Sequence, residues 1–207
     1  MVMTFAISKN FYKKHKNDNY IYDHRDKKVK LDLDLRLLDT RILVYEDMVK
    51  TWFLQVAKYL CLKNKVRINK NGEFDTNEAG FVILQIATSY IEGNQQYREG
   101  KSSNRNSMNM FRRGIKRIFN LKHKNNLIDK LYEQVRCGLF HDGMTRKLVT
   151  IDGNYKKSII LSNKSIKINP YKFLNKIEDD FDNYILELKD TKNTKLKRNF
   201  ENFLKTR

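Results

Sequence analysis

Apolar side chains recur every three to four positions along five stretches of this chain, and this spacing limits the fold more than any other feature of the sequence. Three to four residues make one turn of an α-helix, so each stretch predicts a helix with an apolar face. The stretches begin near Leu38, Thr76, Met108, Asn126 and Pro170. We therefore predict a mainly α protein, a helical bundle of about five helices.

The first and the last of these stretches have the most regular apolar rows. In the first, the row predicted to face the core is Leu38, Ile42, Tyr45, Val49, Trp52, Val56 and Leu60. In the last, Asn169 is placed to cap the helix and Pro170 to begin it. The apolar row that follows is Phe173, Leu174, Ile177, Phe181, Tyr184, Ile185 and Leu188. Both helices are expected to dock on the bundle.

The second predicted helix is apolar on nearly all sides, apart from one row of polar residues. The row consists of Gln85, Ser89, Glu92 and Gln96. Steps of three and four place these residues along one side of a helix. Such a row either lines a wet cleft or forms hydrogen bonds across the bundle, because buried polar groups need partners.

After the fourth helix the apolar pattern changes to short runs at 148–151, 158–161 and 165–168. Short runs bounded by turn residues are typical of strands. We predict a small β-hairpin or meander inserted after the fourth helix, at 147–168.

One globular domain with two basic appendages is expected from 207 residues of which 40% are hydrophobic. The predicted bundle covers 37–189 and includes the β insertion. A basic N-terminal extension covers 1–36, and a basic tail or helix covers 190–207.

Lysine and arginine outnumber aspartate and glutamate by 42 to 24, which gives a formal net charge of +18. Such an excess attracts polyanions, so RNA is the leading predicted partner. No stretch approaches the roughly 20 apolar residues of a membrane span, and the first apolar run is too short for a signal peptide, so we expect no membrane attachment. Cys61 and Cys137 have no disulfide or metal spacing, which favours a reducing, cytoplasmic location.

Two basic segments are candidates for nucleic-acid contact. Lys13 and Lys14 lie among aromatic residues near the N-terminus. That segment either follows a phosphate backbone and stacks on bases, or is an extension whose rings pack on the domain. On the third helix, four cations form a stripe that either contacts phosphates or is a solvated face. The stripe consists of Arg112, Arg113, Lys116 and Arg117.

The sequence predicts no metal site and no cofactor. His15, His24 and His123 have no Cys, Asp or His at ligand spacing. The chain also lacks a Gly-rich phosphate loop, H-E-x-x-H and G-x-S-x-G. These absences argue against nucleotide hydrolases, metalloproteases and serine hydrolases of the familiar kinds.

The fourth helix ends in an arginine and a histidine five positions apart, Arg136 and His141. Arginine supplies a permanent cation for phosphate, and histidine changes its charge near neutral pH. This R-x-x-x-x-H pattern resembles the signature of the HEPN superfamily of small helical nucleases and nucleic-acid-associated domains. The resemblance covers 126–143 closely and the helical frame more loosely. Family members often have Asn, Asp or His after the arginine, where this chain has Cys137.

The resemblance implies a metal-independent endoribonuclease that cleaves RNA by attack of the ribose 2′-hydroxyl, in defence, as a toxin or in RNA processing. In that chemistry His141 acts as acid or base and Arg136 holds the phosphate. Glu92, Tyr132 and Ser89 are candidate supporting residues. The family implies a homodimer whose two motifs meet, with an antitoxin or regulatory protein as a further partner.

Other interpretations of the motif stay open. At the usual helical pitch, residues five apart are rotated by about 140°. Arg136 must then reach round, the helix must open at Gly138, or two copies must combine their motifs. Alternatively, Arg136 and His141 stabilise the helix C-terminus, where cations meet the last carbonyls. The alternative function is a noncatalytic HEPN-like module that binds nucleic acid or a partner protein.

Overall fold

The computed structural model describes residues 5–25, 33–65, 79–122 and 125–206, which are mainly helical with two small sheets. Thr76, near which the sequence predicts the second helix to begin, lies outside these residues. The α-helices are α1 (Leu38–Val49), α2 (Gln55–Lys65), α3 (Gly80–Glu99), α4 (Ser107–Phe119), α5 (Asn125–Leu131), α6 (Pro170–Lys189) and α7 (Thr194–Leu204). Two π-helical segments continue α1 and α5, namely Lys50–Leu54 and Tyr132–Asp142.

Helix α3 lies at the centre and packs against α4, α6 and α7. Phe111 of α4, Phe181 of α6 and Phe200 of α7 are fully buried in the shared core. At the start of α6 the Asn169 side chain accepts a hydrogen bond from Lys172 N at 2.9 Å, which caps the helix. The described helices therefore share one large apolar core.

The first π-helical segment changes which face of the following helix is buried. The sequence predicts Trp52 and Val56 in the core, but both are 45% exposed, whereas Ala57 and Cys61 are buried. A π-helix bonds residue i to i+5, so each turn holds an additional residue and the buried face advances along the sequence. The apolar row before Lys50 therefore does not extend in phase into α2.

The N-terminal segment forms a four-stranded antiparallel sheet in sequence order. Its strands are β1 (Phe5–Ala6), β2 (Phe11–Lys13), β3 (Tyr20–Asp23) and β4 (Leu33–Asp34). Phe11 and Ile21 pack with Val44 of α1 in a small second core. The buried Asp47 carboxylate accepts hydrogen bonds from the Ser8 hydroxyl and, at 3.0 Å, from the Asn10 amide. This carboxylate therefore ties the sheet to α1.

The second sheet contains β5 (Val149–Ile151), β6 (Ile159–Leu161) and β7 (Ile166–Ile168), in the order β5-β7-β6. Strands β6 and β7 form an antiparallel hairpin, but β5 pairs in parallel with β7, so the three strands are not a meander. The buried Asn169 amide donates to the carbonyls of Gly153 at 2.6 Å and Tyr155 at 2.9 Å. These bonds hold the segment after β5 against the start of α6, and in the sheet β7 lies between β5 and β6.

Candidate functional site

Arg136 and His141 both lie in the second π-helical segment, Tyr132–Asp142. Because π-helical hydrogen bonds join residues five apart, a residue and its i+5 neighbour lie about one turn from each other along one side of the helix. The rotation of about 140° expected for an α-helix therefore does not apply here. The segment also continues through Gly138 and ends at Asp142, and the next residue, Gly143, has a left-handed φ of 72°. The opening of the helix at Gly138, one of the possibilities raised by the sequence, is therefore not observed.

The Arg136 guanidinium is held from two directions. Its Nη2 donates to Glu92 Oε2 of α3 at 3.0 Å. Its Cζ lies 4.4 Å from the centre of the Phe140 ring and 5.5 Å from that of Tyr132. The Arg136 side chain is 18% exposed and that of Glu92 is 11% exposed. The guanidinium is thus oriented by a carboxylate and two rings, and the arginine side chain as a whole is mostly buried.

Tyr132 contacts both the motif and the core. Its ring packs edge-on against Phe111, with 5.4 Å between ring centres. Burial raises the pKa of the Tyr132 hydroxyl, while the nearby Arg136 acts in the opposite direction. Tyr132 therefore fills core space as well as stacking on the arginine.

His141 is exposed on the last turn of the same segment. In the described part of the chain its imidazole has no hydrogen-bond or ion-pair partner. An exposed imidazole without a fixed partner keeps both nitrogens open to a ligand. The motif therefore combines a held cation with an open titratable group.

Gly138 allows the chain to return closely against the motif. A Cβ at this position would lie 2.7 Å from the Met144 carbonyl oxygen. The returning Arg146 backbone amide donates to the Gln134 carbonyl at 2.9 Å, and the Arg146 side chain pairs with Asp142 at 2.8 Å. The segment after the motif is thus fixed against Gln134, Gly138 and Asp142 by backbone and side-chain contacts.

The polar row of α3 does not form one cleft. Among the described contacts, Glu92 is the member of the row that reaches Arg136. Ser89 donates to the Gln85 carbonyl at 2.7 Å and lines a separate cavity, while Gln96 accepts from the Ser103 amide at 2.9 Å. The structure therefore does not bring Ser89 to the motif.

The cationic stripe of α4 is largely neutralised within the molecule. Each member has a partner on another element or loop. The pairs are Arg112 with Asp129 at 2.7 Å, Arg113 with Glu99 at 2.9 Å, Lys116 with Asn125 at 2.7 Å, and Arg117 with Asp180. The arginines thus connect α4 to α3, α5 and α6, and the predicted ridge is not a row of free cations.

Asp180 of α6 is the centre of a polar cluster that the sequence analysis missed. Its carboxylate accepts from the Tyr90 hydroxyl at 2.8 Å and from Arg117, and it lies 3.9 Å from Arg98. Burial, followed by the charge of Asp180, raises the pKa of Tyr90 well above its usual value. No sequence signal identifies the cluster, because its members are distant along the chain.

The two N-terminal lysines lie beside other side chains of the first sheet. Lys14 Nζ is 4.4 Å from the centre of the Tyr22 ring, and Lys13 Nζ donates to the Lys16 carbonyl at 3.4 Å. Tyr12 stacks on His24, with 4.1 Å between ring centres. These rings therefore pack partly on one another within the sheet.

No group of three His, Cys, Asp or Glu side chains in the described residues could hold a metal ion. His123 lies outside those residues. Cys61 is buried, Cys137 is half-buried, and neither is in a disulfide. Among the helices that the structure describes, none combines the length and apolar character that crossing a membrane requires.

No protein-family model, curated protein or solved structure matches this chain. The resemblance to the HEPN superfamily therefore rests on Arg136, His141 and the spacing between them.

Proposed function

We propose that this protein is a HEPN-like, metal-independent endoribonuclease that acts in the cytoplasm, in defence, as a toxin or in RNA processing. The observation that carries the proposal is that Arg136 and His141 lie on a π-helical segment. Hydrogen bonds in such a segment join residues five apart, which is the spacing of these two residues. A formal net charge of +18 supports a polyanionic substrate.

In the proposed reaction, His141 takes the proton of a ribose 2′-hydroxyl and the 2′-oxygen attacks the neighbouring phosphorus. The bond from phosphorus to the 5′-oxygen breaks, and this oxygen leaves as a hydroxyl after taking a proton from solvent. Arg136 binds the negative charge that develops on the phosphoryl oxygens. The products are a 2′,3′-cyclic phosphate and a 5′-hydroxyl end.

Glu92, Phe140 and Tyr132 support this role by orienting the arginine. A cation fixed before the substrate binds needs little reorganisation in the transition state. In the described contacts Glu92 bonds one terminal nitrogen of the guanidinium, Nη2. Glu92 is thus a positioning residue in this proposal.

Cleavage of a random single-stranded RNA pool by three variants tests the proposal. His141→Ala, Arg136→Ala and Arg136→Lys are each expected to lose about 10²–10⁴-fold in rate, because acid–base catalysis is worth that much and an ammonium cannot reproduce the guanidinium fork. Wild-type cleavage should persist in excess chelator, and DNA should not be cut.

The matched controls are His15→Ala and Arg198→Ala, which remove the same residue types from exposed positions away from the motif. Both should cleave at the wild-type rate. A well-folded His141→Ala protein that retains wild-type cleavage would contradict the catalytic proposal.

The burial of Arg136 and its pairing with Glu92 also favour a second function, a noncatalytic module that binds nucleic acid or a partner protein. Cys137 after the arginine fits this alternative. Arg136 would then hold α3 against the motif segment, so Arg136→Ala and Glu92→Gln would lower the melting temperature together. A wild-type protein that binds RNA without cutting it would support the noncatalytic module and contradict the ribonuclease.

The proposal includes a homodimer, with an antitoxin or regulatory protein as a further partner. An exposed apolar face lies on the first π-helical segment and α2. This dimer face consists of Trp52, Val56, Tyr59 and Leu62, each between 45% and 58% exposed. Large apolar patches rimmed by polar residues often mark protein interfaces.

A further inference from the structure

One side of the first sheet carries a group of ring side chains. Residues two apart along a strand point to the same side of a sheet, so Tyr20 and Tyr22 of β3 share one side. His24 directly follows β3 on the same side, and its amide donates to the Asn10 carbonyl at 2.9 Å. Tyr12 of β2 lies opposite Tyr22 in the antiparallel register and therefore faces the same way. These four rings form the outer face of the first sheet.

The other side of the sheet is the one that packs on the protein. Phe11 and Ile21 are fully buried there against Val44 of α1. Since successive residues of a strand alternate between its two sides, the rings of the outer face are directed away from this core. The sheet therefore does not need the outer rings to dock on α1.

Two of the four rings are accessible to a ligand. Tyr20 is 46% exposed and His24 is also exposed, whereas Tyr12 and Tyr22 are half-buried. The Tyr12 ring contacts both of its neighbours, with 4.1 Å to the centre of the His24 ring and 5.4 Å to that of Tyr22. Tyr12 thus fixes the rings beside it, and the exposed rings at Tyr20 and His24 offer surface for stacking.

The same segment has positive charge that is not neutralised within the molecule. In the described part of the chain, four of its lysines form no ion pair with a carboxylate, namely Lys9, Lys13, Lys14 and Lys16. Asp23 instead pairs with Arg25 at 2.6 Å. Asp34 pairs with Arg36 at 2.7 Å. Four cations without partners favour a polyanionic ligand at this sheet.

Rings and cations occur together on this face. Lys14 Nζ lies 4.4 Å from the centre of the Tyr22 ring. Proteins that bind single-stranded nucleic acid combine such cations, which follow the phosphates, with rings on which successive bases stack. A duplex keeps its bases paired inside and offers its phosphates without free base faces. An acidic protein would meet the lysines but has few flat groups that stack on the rings.

We propose that the outer face of the first sheet binds unpaired bases of a single-stranded nucleic acid, with Tyr20 and His24 stacking on bases and the unpaired lysines contacting phosphates. The choice of RNA as this strand rests on the proposed function. Binding to the face does not, because neither Arg136 nor His141 belongs to it.

Fluorescence anisotropy of the full chain with short labelled strands tests the inference at one salt concentration. A 2′-O-methyl RNA strand has no free 2′-hydroxyl to attack the phosphorus, so binding is measured without cleavage. The second probe is a DNA strand of the same sequence, and the tighter of the two identifies the source of the strand. An abasic DNA strand of the same length keeps the phosphates and lacks the bases, so it should bind at least tenfold more weakly than the DNA strand.

Two double variants test the role of the rings. Tyr20→Leu with His24→Leu removes both exposed rings and should weaken binding of the single strand at least tenfold. Tyr20→Phe with His24→Phe removes the same polar groups but keeps a ring at both positions, so it should bind within twofold of the wild type. A duplex of the same sequence should bind equally to the wild type and to both variants, because it presents phosphates alone.

Tyr155→Leu is the matched control, because this tyrosine belongs to the segment before β6 and also has a lysine near its ring, with Lys167 Nζ 5.8 Å from the ring centre. It should bind like the wild type. An abasic strand that binds as tightly as DNA, or equal affinities of the leucine and phenylalanine variants, would overturn the inference. A protein that binds the strand through these rings but cuts no RNA would support the inference and contradict the ribonuclease alone.

Discussion

Backbone atoms of the returning chain lie very close to Gly138 within the motif. The Met144 carbonyl oxygen occupies the space where a Cβ would be, only 2.7 Å away. A backbone atom cannot move aside as the end of a side chain can, so a larger residue must displace the returning segment. The absence of a side chain at this position therefore lets the chain after the motif lie directly against it.

Gly138→Ala is expected to destabilise the protein by about 1–3 kcal/mol through overpacking. Gly93→Ala is the matched control, because its Cβ would meet nothing within 4 Å on a helix. That control should be about 0.4–1 kcal/mol more stable than the wild type, since alanine restricts the unfolded chain. Urea unfolding measures both, and a Gly138→Ala protein as stable as the wild type would show that the return segment adapts freely.

At the scale of elements, ion pairs join helices that are distant in sequence. Glu46 of α1 accepts from Lys189 of α6 at 2.6 Å and from Lys50 at 2.9 Å. Burial alone would raise the pKa of Glu46, but these two hydrogen bonds outweigh burial and lower the pKa below its ordinary value of 4.5. The folding stability that these two ion pairs supply therefore depends on pH in the acidic range.

A lowered carboxyl pKa gives stability that is present above the pKa of the unfolded chain and is lost as the pH falls through the folded value. Glu46→Gln is therefore expected to cost on the order of 0.5 kcal/mol at pH 7 and less at pH 3, as is usual for a partly exposed pair. Urea unfolding at both pH values measures the free energy of unfolding. Glu133→Gln, at an exposed position, is the control because it changes the net charge by the same amount. An equal loss at both pH values would exclude the ion pair as its cause.

The helical character and the cap at Asn169 could be predicted from the sequence, because each depends on residues within one or two turns. The N-terminal strands could not, since two to four residues are too few to show alternation. The parallel pairing of β5 with β7 joins strands that are separated along the chain by β6, which no local pattern contains.

The same limit applies to the candidate site. The spacing of Arg136 and His141 is visible in the sequence, and so is the polar row that contains Glu92. Which member of the row would meet the arginine depends on how α3 packs. The partners of Arg112, Arg113 and Arg117 likewise come from other helices. The sequence therefore showed four cations on one helix face but not the carboxylates that pair with the three arginines.

At the scale of the whole molecule, the charge of +18 is expected to make RNA binding fall steeply with salt. Because the arginines of α4 are paired internally, Lys13→Ala with Lys14→Ala should lower the slope of log affinity against log salt by about 1–2. Anisotropy with labelled RNA at several salt concentrations measures the slope. The paired control is Lys192→Ala with Lys195→Ala, and a wild-type affinity independent of salt would rule out phosphate contacts.

The dimer face predicts a mass near twice 24.8 kDa in solution. Val56→Glu and Tyr59→Glu place charges on exposed positions, so they should yield folded monomers without disturbing the core. Light scattering at micromolar concentration measures the mass, and circular dichroism monitors the fold. A wild-type mass of one chain would exclude a site shared between two copies.

The first π-helical segment also marks a place where the length of the helical rod can change. Lys50–Leu54 holds one residue more than regular α-helical turns would, so removing one residue there would let α1 and α2 join as an unbroken α-helix with Ala57 and Cys61 still buried. In a regular α-helix the same deletion would turn everything after it by about 100°. A single-residue deletion in this segment should therefore be tolerated, whereas the same deletion within α3 should disrupt the core.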